Sequence, residues 1–168
     1  MDLLRDTLNS VHQLQEPSDK YEARVLEAFV FGTRVCSRQP FSAKIYTSYG
    51  VFDNGSIVAT SRVNHRPLLL WRKDENFAVI KALDPEVAIS ATAVHPEHRG
   101  KGYGRALRAR LQEDFRSILT GSGSKSDPSI VHLNETQGFR LVFKRGPVST
   151  WFWTRSCGNV EMSAGAER

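Results

Sequence analysis

The sequence has few cysteines and no long hydrophobic run. Its two cysteines, Cys36 and Cys157, lack the spacing of a zinc site or of a redox pair, which favours isolated thiols in a reducing compartment. No apolar run approaches the roughly 20 residues that a membrane-spanning helix needs, and the N-terminal segment is too polar for a secretory signal. These absences predict a cytoplasmic protein with no membrane contact, and no metal site is expected.

The length and composition indicate one folded domain. With 168 residues, of which 40% are apolar and 24% are charged, the chain can bury a core without disulfides or metal. We expect residues 1–155 to form a single domain and residues 156–168 to form a mobile tail with little apolar content. The net charge of +5 is spread along the chain, so the charge alone leaves open a nucleic acid or a phosphorylated cofactor as the partner.

The N-terminal third is predicted to contain two helices. Apolar residues recur at near-helical spacing over residues 3–14 and again over residues 21–29, and the residues EPSD separate the two segments. From Lys44 the sequence changes to two β-rich runs around Asn54-Gly55, a dipeptide that favours a tight hairpin turn.

The middle of the chain predicts a central strand followed by a helix. Residues 66–84 are ambiguous between a strand and a buried helix, whereas residues 86–94 (EVAISATAV) have the composition of a buried strand. After a glycine-rich turn, apolar residues recur every four positions from Tyr103 to Phe115, with charged residues such as Arg108 between them. This pattern predicts an amphipathic helix with its charged residues toward solvent.

The last third predicts a short strand, a short helix and a hairpin. Residues 116–120 have the composition of a short strand, and a polar connector follows. Asp127 as N-cap, Pro128 at the first helical position and Gly138 just past the end define a helix over residues 128–137. Two further strands are predicted around Gly146-Pro147.

The turn between the central strand and the amphipathic helix predicts a phosphate site. In residues 94–104 (VHPEHRGKGYG), three glycines at alternate positions precede the helix, where backbone N–H groups have no intrahelical partner. The helix terminus contributes about half a positive charge, and Arg99, Lys101 and Arg105 add full charges. The alternative is an ordinary turn with solvated basic neighbours, which three alternating glycines disfavour.

Two other phosphate motifs are excluded by spacing. A dinucleotide fingerprint needs GxGxxG, but the glycines here are spaced GxGxG, and no strand with an acidic residue follows at the required distance. A Walker A loop needs a glycine directly before its lysine, and Lys125 in GSGSKS has none.

Val94, Pro96 and the run RGKGYG at residues 99–104 resemble the acetyl-coenzyme A binding motif of the GNAT superfamily of N-acetyltransferases. That motif is Arg or Gln, two residues, Gly, one residue, then Gly or Ala. A second family motif has a similar counterpart around Gly138-Phe139, in which Leu133 agrees and three residues depart from the family pattern. The departing residues are Asp127, Ile130 and Asn134.

The resemblance implies an α+β fold. The expected architecture is a mostly antiparallel mixed sheet that splays between its fourth and fifth strands and is flanked by helices. It also implies a set of coenzyme A binding residues, in which backbone at the strand end holds pantetheine and the turn holds the pyrophosphate. These residues are Ala93, Val94, Arg99, Gly100, Lys101, Gly102, Tyr103, Gly104, Arg105 and Asp127.

The implied activity is transfer of an acetyl group from acetyl-coenzyme A to a primary amine by direct attack. The position of the strand glutamate used by some family members is Ala88, so Glu86, two residues away on the same face, is the candidate base, with His95 and His132 as further candidates. A solvated, structural Glu86 is an equal alternative. The family tyrosine that protonates the leaving thiolate aligns with Asn134, which cannot deliver a proton.

Two competing functions follow from the same residues. The first is a catalytically weak module with this fold that binds acyl-coenzyme A or a protein partner. The second, a nucleic-acid binding domain, is disfavoured because basic and aromatic residues are not clustered. The acceptor amine, which could be a small molecule or a protein, is left open, as is a homodimer.

Overall fold

The computed structural model describes residues 10–32, 45–122 and 128–155, and every structural statement below concerns these ranges. The strands are β1 (Val11–Gln13), β2 (Tyr46–Asp53), β3 (Ser56–Asn64), β4 (Val87–Val94), β5 (Ser117–Ser122), β6 (Arg140–Arg145) and β7 (Val148–Thr154). The helices are α1 (Pro17–Phe31), α2 (Pro67–Trp71), α3 (Phe77–Ala82), α4 (Tyr103–Asp114) and α5 (Pro128–Thr136), with a 3-10 turn at Pro96–His98.

The strands form one mixed sheet in the order β1-β2-β3-β4-β5-β7-β6. Neighbouring strands are antiparallel except for β4 and β5, which are parallel. The parallel pairing covers only Val87–Ile89 opposite Ile118–Thr120, although β4 continues to Val94. The sheet therefore opens between its fourth and fifth strands, which confirms the predicted fold class.

The N-terminal segment differs from the prediction. Val11–Gln13 is a strand paired with β2, and only residues 10–14 of the first predicted helix fall within the described ranges. Val11 and Leu14 are both buried, but in different clusters on the two faces of the sheet. A three-residue spacing fits a helix equally well, so the apolar pattern alone did not reveal the strand. The second predicted helix is confirmed as α1.

The other local predictions agree with the structure. Asn54 and Gly55 both have positive φ, 51° and 83°, as a tight hairpin turn between β2 and β3 requires. The ambiguous residues 66–84 form the short helices α2 and α3. Helix α5 covers the predicted short helix and is followed by Gly138 at φ 74°. Asp127, the predicted N-cap, lies outside the described residues, as does the predicted tail.

Each face of the sheet is covered by helices. On one face, α4 packs Ala106, Leu107 and Leu111 against apolar strand residues that include Val63 and Ile118. The opposite face carries α1 beside the N-terminal strands and α2–α3 beside β4 and β5. In the part of the chain that the structure describes, no helix is long and apolar enough to cross a membrane.

Candidate functional site

A cavity of about 840 Å³ extends from the glycine-rich turn into the gap between β4 and β5. Besides the turn, its walls are formed by the free edge of β4, the separating end of β5, the first turns of α4, and α5. Val30 and Phe31 at the end of α1 lie at its other side. The cavity thus connects a helix N-terminus with the opened part of the sheet.

The glycine-rich turn is conformationally demanding. Gly100 and Gly102 have φ of 76° and 83°, and a Cβ built on either would meet no atom of the described residues within 4 Å. The positive φ, and not a lack of space, therefore requires glycine at these positions. The first intrahelical hydrogen bond of α4 joins the Ala106 N–H to the Gly102 carbonyl at 3.0 Å. The N–H groups of residues 103–105 precede it and have no intrahelical acceptor.

The charge at this end of the cavity is positive. Arg99 and Arg105 are exposed and line the cavity beside the helix N-terminus. Lys101 is exposed and outside the lining, with its Nζ 3.4 Å from Nδ1 of His98. His98 in turn lies 3.4 Å from a carboxylate oxygen of Asp53. Unpartnered N–H groups and two arginines favour a phosphate-sized anion at this place.

The free edge of β4 presents backbone groups to the gap. The His95 N–H donates to the Val58 carbonyl at 2.9 Å, so the backbone of His95 faces β3. Because backbone direction alternates along an antiparallel strand, Ala93 also faces β3 and Val94 faces the gap, as does Thr92. Val94 lies where the sequence predicted it, whereas Thr92 takes the place assigned to Ala93. Ala93 is buried opposite Thr60 and does not line the cavity.

Seven of the predicted cofactor-binding residues come together around the cavity. They are Val94, Arg99, Gly100, Gly102, Tyr103, Gly104 and Arg105. Ala93 and Lys101 do not line it, and Asp127 lies outside the described residues.

The predicted catalytic residues are not at the cavity. A Glu86 carboxylate oxygen accepts a hydrogen bond from the Arg116 N–H at 2.7 Å, next to the end of β4 that is farther from the turn. This contact gives Glu86 a structural role in joining β4 to the start of β5. Asn134 is fully buried and does not line the cavity, and neither polar atom of its side chain has a hydrogen-bond partner among the described residues.

The two histidine candidates lie in different surroundings. The His95 ring stacks on Phe29 at a centroid distance of 5.4 Å and does not line the cavity. His132 lines the cavity from α5 with an exposed side chain. Among the residues described, no group of three or more His, Cys, Asp or Glu side chains could hold a metal ion.

Arg108 is a cavity residue whose burial the sequence prediction missed. The prediction placed it on the solvent side of α4, but its side chain is buried and lines the cavity. Burial lowers the pKa of Arg108 to about 10. A signal was present in the spacing, since Arg108 is four residues after Gly104 and three before Leu111, on the edge of the apolar face.

A buried ion pair on the opposite face of the sheet was also missed. Glu27 on α1 lies 3.2 Å from a guanidinium nitrogen of Arg62, and Arg62 Nε donates to the Ser90 hydroxyl at 3.2 Å. Ser90 lines the cavity. Burial raises the pKa of Glu27, and the charges of Arg62 and Arg24 oppose the rise. Burial likewise lowers the pKa of Arg62.

Comparison with known families agrees with this fold. Residues 6–123 match the acetyltransferase (GNAT) family, which is most of the chain. The chain therefore belongs to the GNAT acetyltransferase family.

One curated relative and two solved structures illustrate the likeness. Over 64 residues the chain is 36% identical to the L-amino acid N-acyltransferase MnaT of Escherichia coli (strain K12), and this match spans 35% of the chain and 37% of that protein. The structure of Arabidopsis thaliana NAA60 in complex with acetyl-CoA has a TM-score of 0.63 at 14% identity, covering 86% of this chain and 97% of that one.

The ribosomal-protein-S18-alanine N-acetyltransferase of Escherichia coli has a TM-score of 0.58 at 16% identity, covering 90% of this chain and 97% of that one. At this level of identity, the two solved structures support the fold alone. The match to MnaT spans little more than a third of that protein, and the family match shows membership of an acetyltransferase family.

Proposed function

We propose that the protein transfers an acetyl group from acetyl-coenzyme A to a primary amine. The observation that carries this proposal is the single cavity that joins the N-terminus of α4 to the gap between β4 and β5. A ligand that fits such a cavity has an anionic end and an extended polar arm. Coenzyme A has both.

The donor half of the proposed site uses backbone groups and two cations. The N–H groups of residues 103–105, with Arg99 and Arg105, bind the pyrophosphate. The backbone groups of Thr92 and Val94 bind the pantetheine amides as if the arm were an additional strand. The thioester then lies toward the closed end of the gap, where β4 and β5 begin to pair.

The acceptor half lies at the α1 side of the cavity. A neutral amine placed near Ser90, Val30 and Phe31 can attack the thioester carbonyl directly, because the protein holds both reactants in one cavity. An ammonium must first lose its proton. We assign its removal to Glu27, acting through water. Glu27 does not line the cavity itself, but its partner Arg62 donates a hydrogen bond to Ser90, which does, and burial raises the pKa of this carboxyl. Glu86, the base predicted from the sequence, lies away from the cavity.

Thiol release from acetyl-coenzyme A tests the proposed activity. The purified chain is incubated with acetyl-coenzyme A and a panel of acceptors: free L-amino acids, polyamines, peptides with free N-termini and lysine peptides. We include L-amino acids because MnaT, the curated relative, acts on them by name. The expected result is acceptor-dependent release of free thiol together with an acetylated amine identified by mass.

The alternative function is an acyl-coenzyme A binding module without efficient transfer. It is favoured by Ala88, which is fully buried in an apolar cluster, and by Asn134, whose side chain cannot deliver a proton. Coenzyme A binding without thiol release above background for any acceptor in the panel would replace the transferase proposal with this alternative.

A further inference from the structure

Arg108 differs from the other arginines around the cavity. Arg99 and Arg105 are exposed, whereas Arg108 is only 2% exposed and still lines the cavity. Its Nε and Nη1 atoms have no hydrogen-bond partner in the described part of the chain. A guanidinium removed from water in this way needs an anion to balance it. An anion is therefore expected to reach Arg108 through the cavity.

The guanidinium lies toward the closed end of the gap. Its Cζ is 5.4 Å from the centroid of the Phe139 ring, and that ring is 6.5 Å from the Trp153 ring. Trp153 pairs with Ile118 on β5, and the pairing of β4 with β5 ends at Thr120. Both Thr120 and Arg108 line the cavity. An anion at Arg108 would therefore have Phe139 and the β5 side of the cavity as neighbours, whereas a phosphate at the turn would have the N–H groups of residues 103–105.

The electrostatics at this end come mainly from Arg108 itself. Burial is the cause that lowers the pKa of Arg108 to about 10, so the guanidinium keeps its charge at neutral pH. His132 from α5 and Arg105 from the first turn of α4 line the same cavity, and both are exposed and hydrated. A charge surrounded by protein interacts with a nearby anion more strongly than a hydrated one does.

We propose that Arg108 stabilises the thiolate that coenzyme A forms when the acyl group leaves. This inference rests on the proposed function. The amine nitrogen forms a bond to the thioester carbonyl carbon, the carbon–sulfur bond breaks, and its electron pair stays on sulfur. The proton of the amine goes to Glu27 or to solvent, and Arg108 keeps its own proton. No proton donor is then needed at Asn134, which lies outside the cavity lining.

The test measures the thiol pKa of bound coenzyme A. Coenzyme A is titrated through the alkaline range, free and in complex with saturating protein, and the thiolate is followed by its ultraviolet absorbance. Arg108→Met, Arg108→Lys and Arg105→Met are compared with the parent protein. Each folded protein titrated without coenzyme A corrects for protein absorbance, because burial raises the pKa of Tyr49 and an unfolded chain would not reproduce its ionisation.

The expected result is a thiol pKa about one unit or more below that of free coenzyme A in the parent complex, which is a tenfold shift in the thiolate ratio. Arg108→Met abolishes this shift, and Arg108→Lys keeps part of it because the charge remains. Arg105→Met weakens binding at the phosphate end but leaves the thiol pKa lowered.

Three results would contradict the role of Arg108 or the proposed function, and they can be told apart. An unshifted thiol pKa in the parent complex overturns the role of Arg108 while leaving the proposed function intact, and it needs no variant to fold. Failure of the parent protein to bind coenzyme A overturns the proposed function itself. Binding of succinyl-coenzyme A, whose acyl group ends in a carboxylate, gives the third result. If the thiol pKa is unshifted and Arg108→Met weakens binding of succinyl-coenzyme A alone, the thiolate proposal is overturned and Arg108 is assigned to an acyl carboxylate.

Discussion

At the scale of single residues, the protein buries the charged side chains of Glu27 and Arg108. The Glu27 carboxylate has Arg62 as a partner, but Arg108 has only the Phe139 ring beside its guanidinium among the interactions found in the described ranges. A buried charge without a partner opposes folding, so its presence at a cavity wall indicates function more than stability. Arg108 therefore gives a prediction about stability that is independent of catalysis.

Replacing Arg108 with Met is expected to stabilise the ligand-free protein. The change removes the cost of burying the guanidinium, and we expect the free energy of unfolding to rise by about 1 to 3 kcal/mol at neutral pH. Urea unfolding of the parent and of Arg108→Met measures it. A less stable variant at neutral pH would show instead that Arg108 has a stabilising partner.

The pH dependence of this difference has a definite sign. The pKa of Arg108 is lowered in the folded protein, so near and above pH 10 the unfolded chain binds more protons than the folded one. Stability of the parent therefore rises with pH in that range, relative to the variant. The difference in the free energy of unfolding between Arg108→Met and the parent should accordingly become smaller above about pH 10.

At the scale of elements, local signals in the sequence predicted the structure well. The Asn54-Gly55 hairpin, strand β4 and helix α5 are each defined by residues next to them in the chain, such as Gly55 with its positive φ. Strand β1 could not be predicted in this way, because it is held by pairing with β2, a strand from another part of the sequence. Its three residues carry too little pattern to compete with the helical periodicity around them.

The residues of the candidate site were also predicted only where a local motif defines them. The glycine-rich turn is a local motif, and most of its residues do line the cavity. Glu27 and Arg108 were missed because their roles depend on tertiary neighbours: Arg62 on β3 for one, and Phe139 after α5 for the other. Polar residues beside an apolar helical face look solvated in a sequence until the packing is known.

Glu27 lies on α1, across the sheet from α4, and its proposed role as the base predicts how the rate depends on pH. Its raised pKa means that the parent rate falls with decreasing pH as this carboxyl takes up a proton. With the same acceptor, Glu27→Gln should lower kcat by about 10²-fold or more. It should also remove the fall in rate at decreasing pH. The measurement is the pH dependence of kcat for the parent, Glu27→Gln and Glu86→Gln.

Glu86→Gln serves as the control, because neither Glu86 nor its hydrogen-bond partners Arg116 and Ser117 line the cavity, whereas Glu27 is linked to the cavity residue Ser90 through Arg62. It should retain the parent profile. A parent-like profile in Glu27→Gln would exclude Glu27 as the base. Loss of the acid-side limb in Glu86→Gln would favour the residue that the sequence first suggested.

At the scale of the whole molecule, the proposed function places donor and acceptor on different sides of one opened sheet. Helix α4 on one face has its N-terminus at the proposed donor end of the cavity, and the end of α1 on the other face borders the proposed acceptor region. A parallel pair that separates after Thr120 joins the two sides. The cytoplasmic location and the single domain over residues 1–155 stay predictions.

Coenzyme A binding to two glutamate variants tests for a phosphate site at the N-terminus of α4. Gly102 and Gly146 both have positive φ, 83° and 54°, and no described atom lies within 4 Å of a Cβ built on either, so a glutamate at either position meets backbone strain but no clash. Only Gly102 lines the cavity. Calorimetric titration should show a parent-like dissociation constant for Gly146→Glu and an affinity at least about tenfold weaker for Gly102→Glu, because its carboxylate repels the pyrophosphate. Equal affinity in both variants would contradict a phosphate site at the N-terminus of α4.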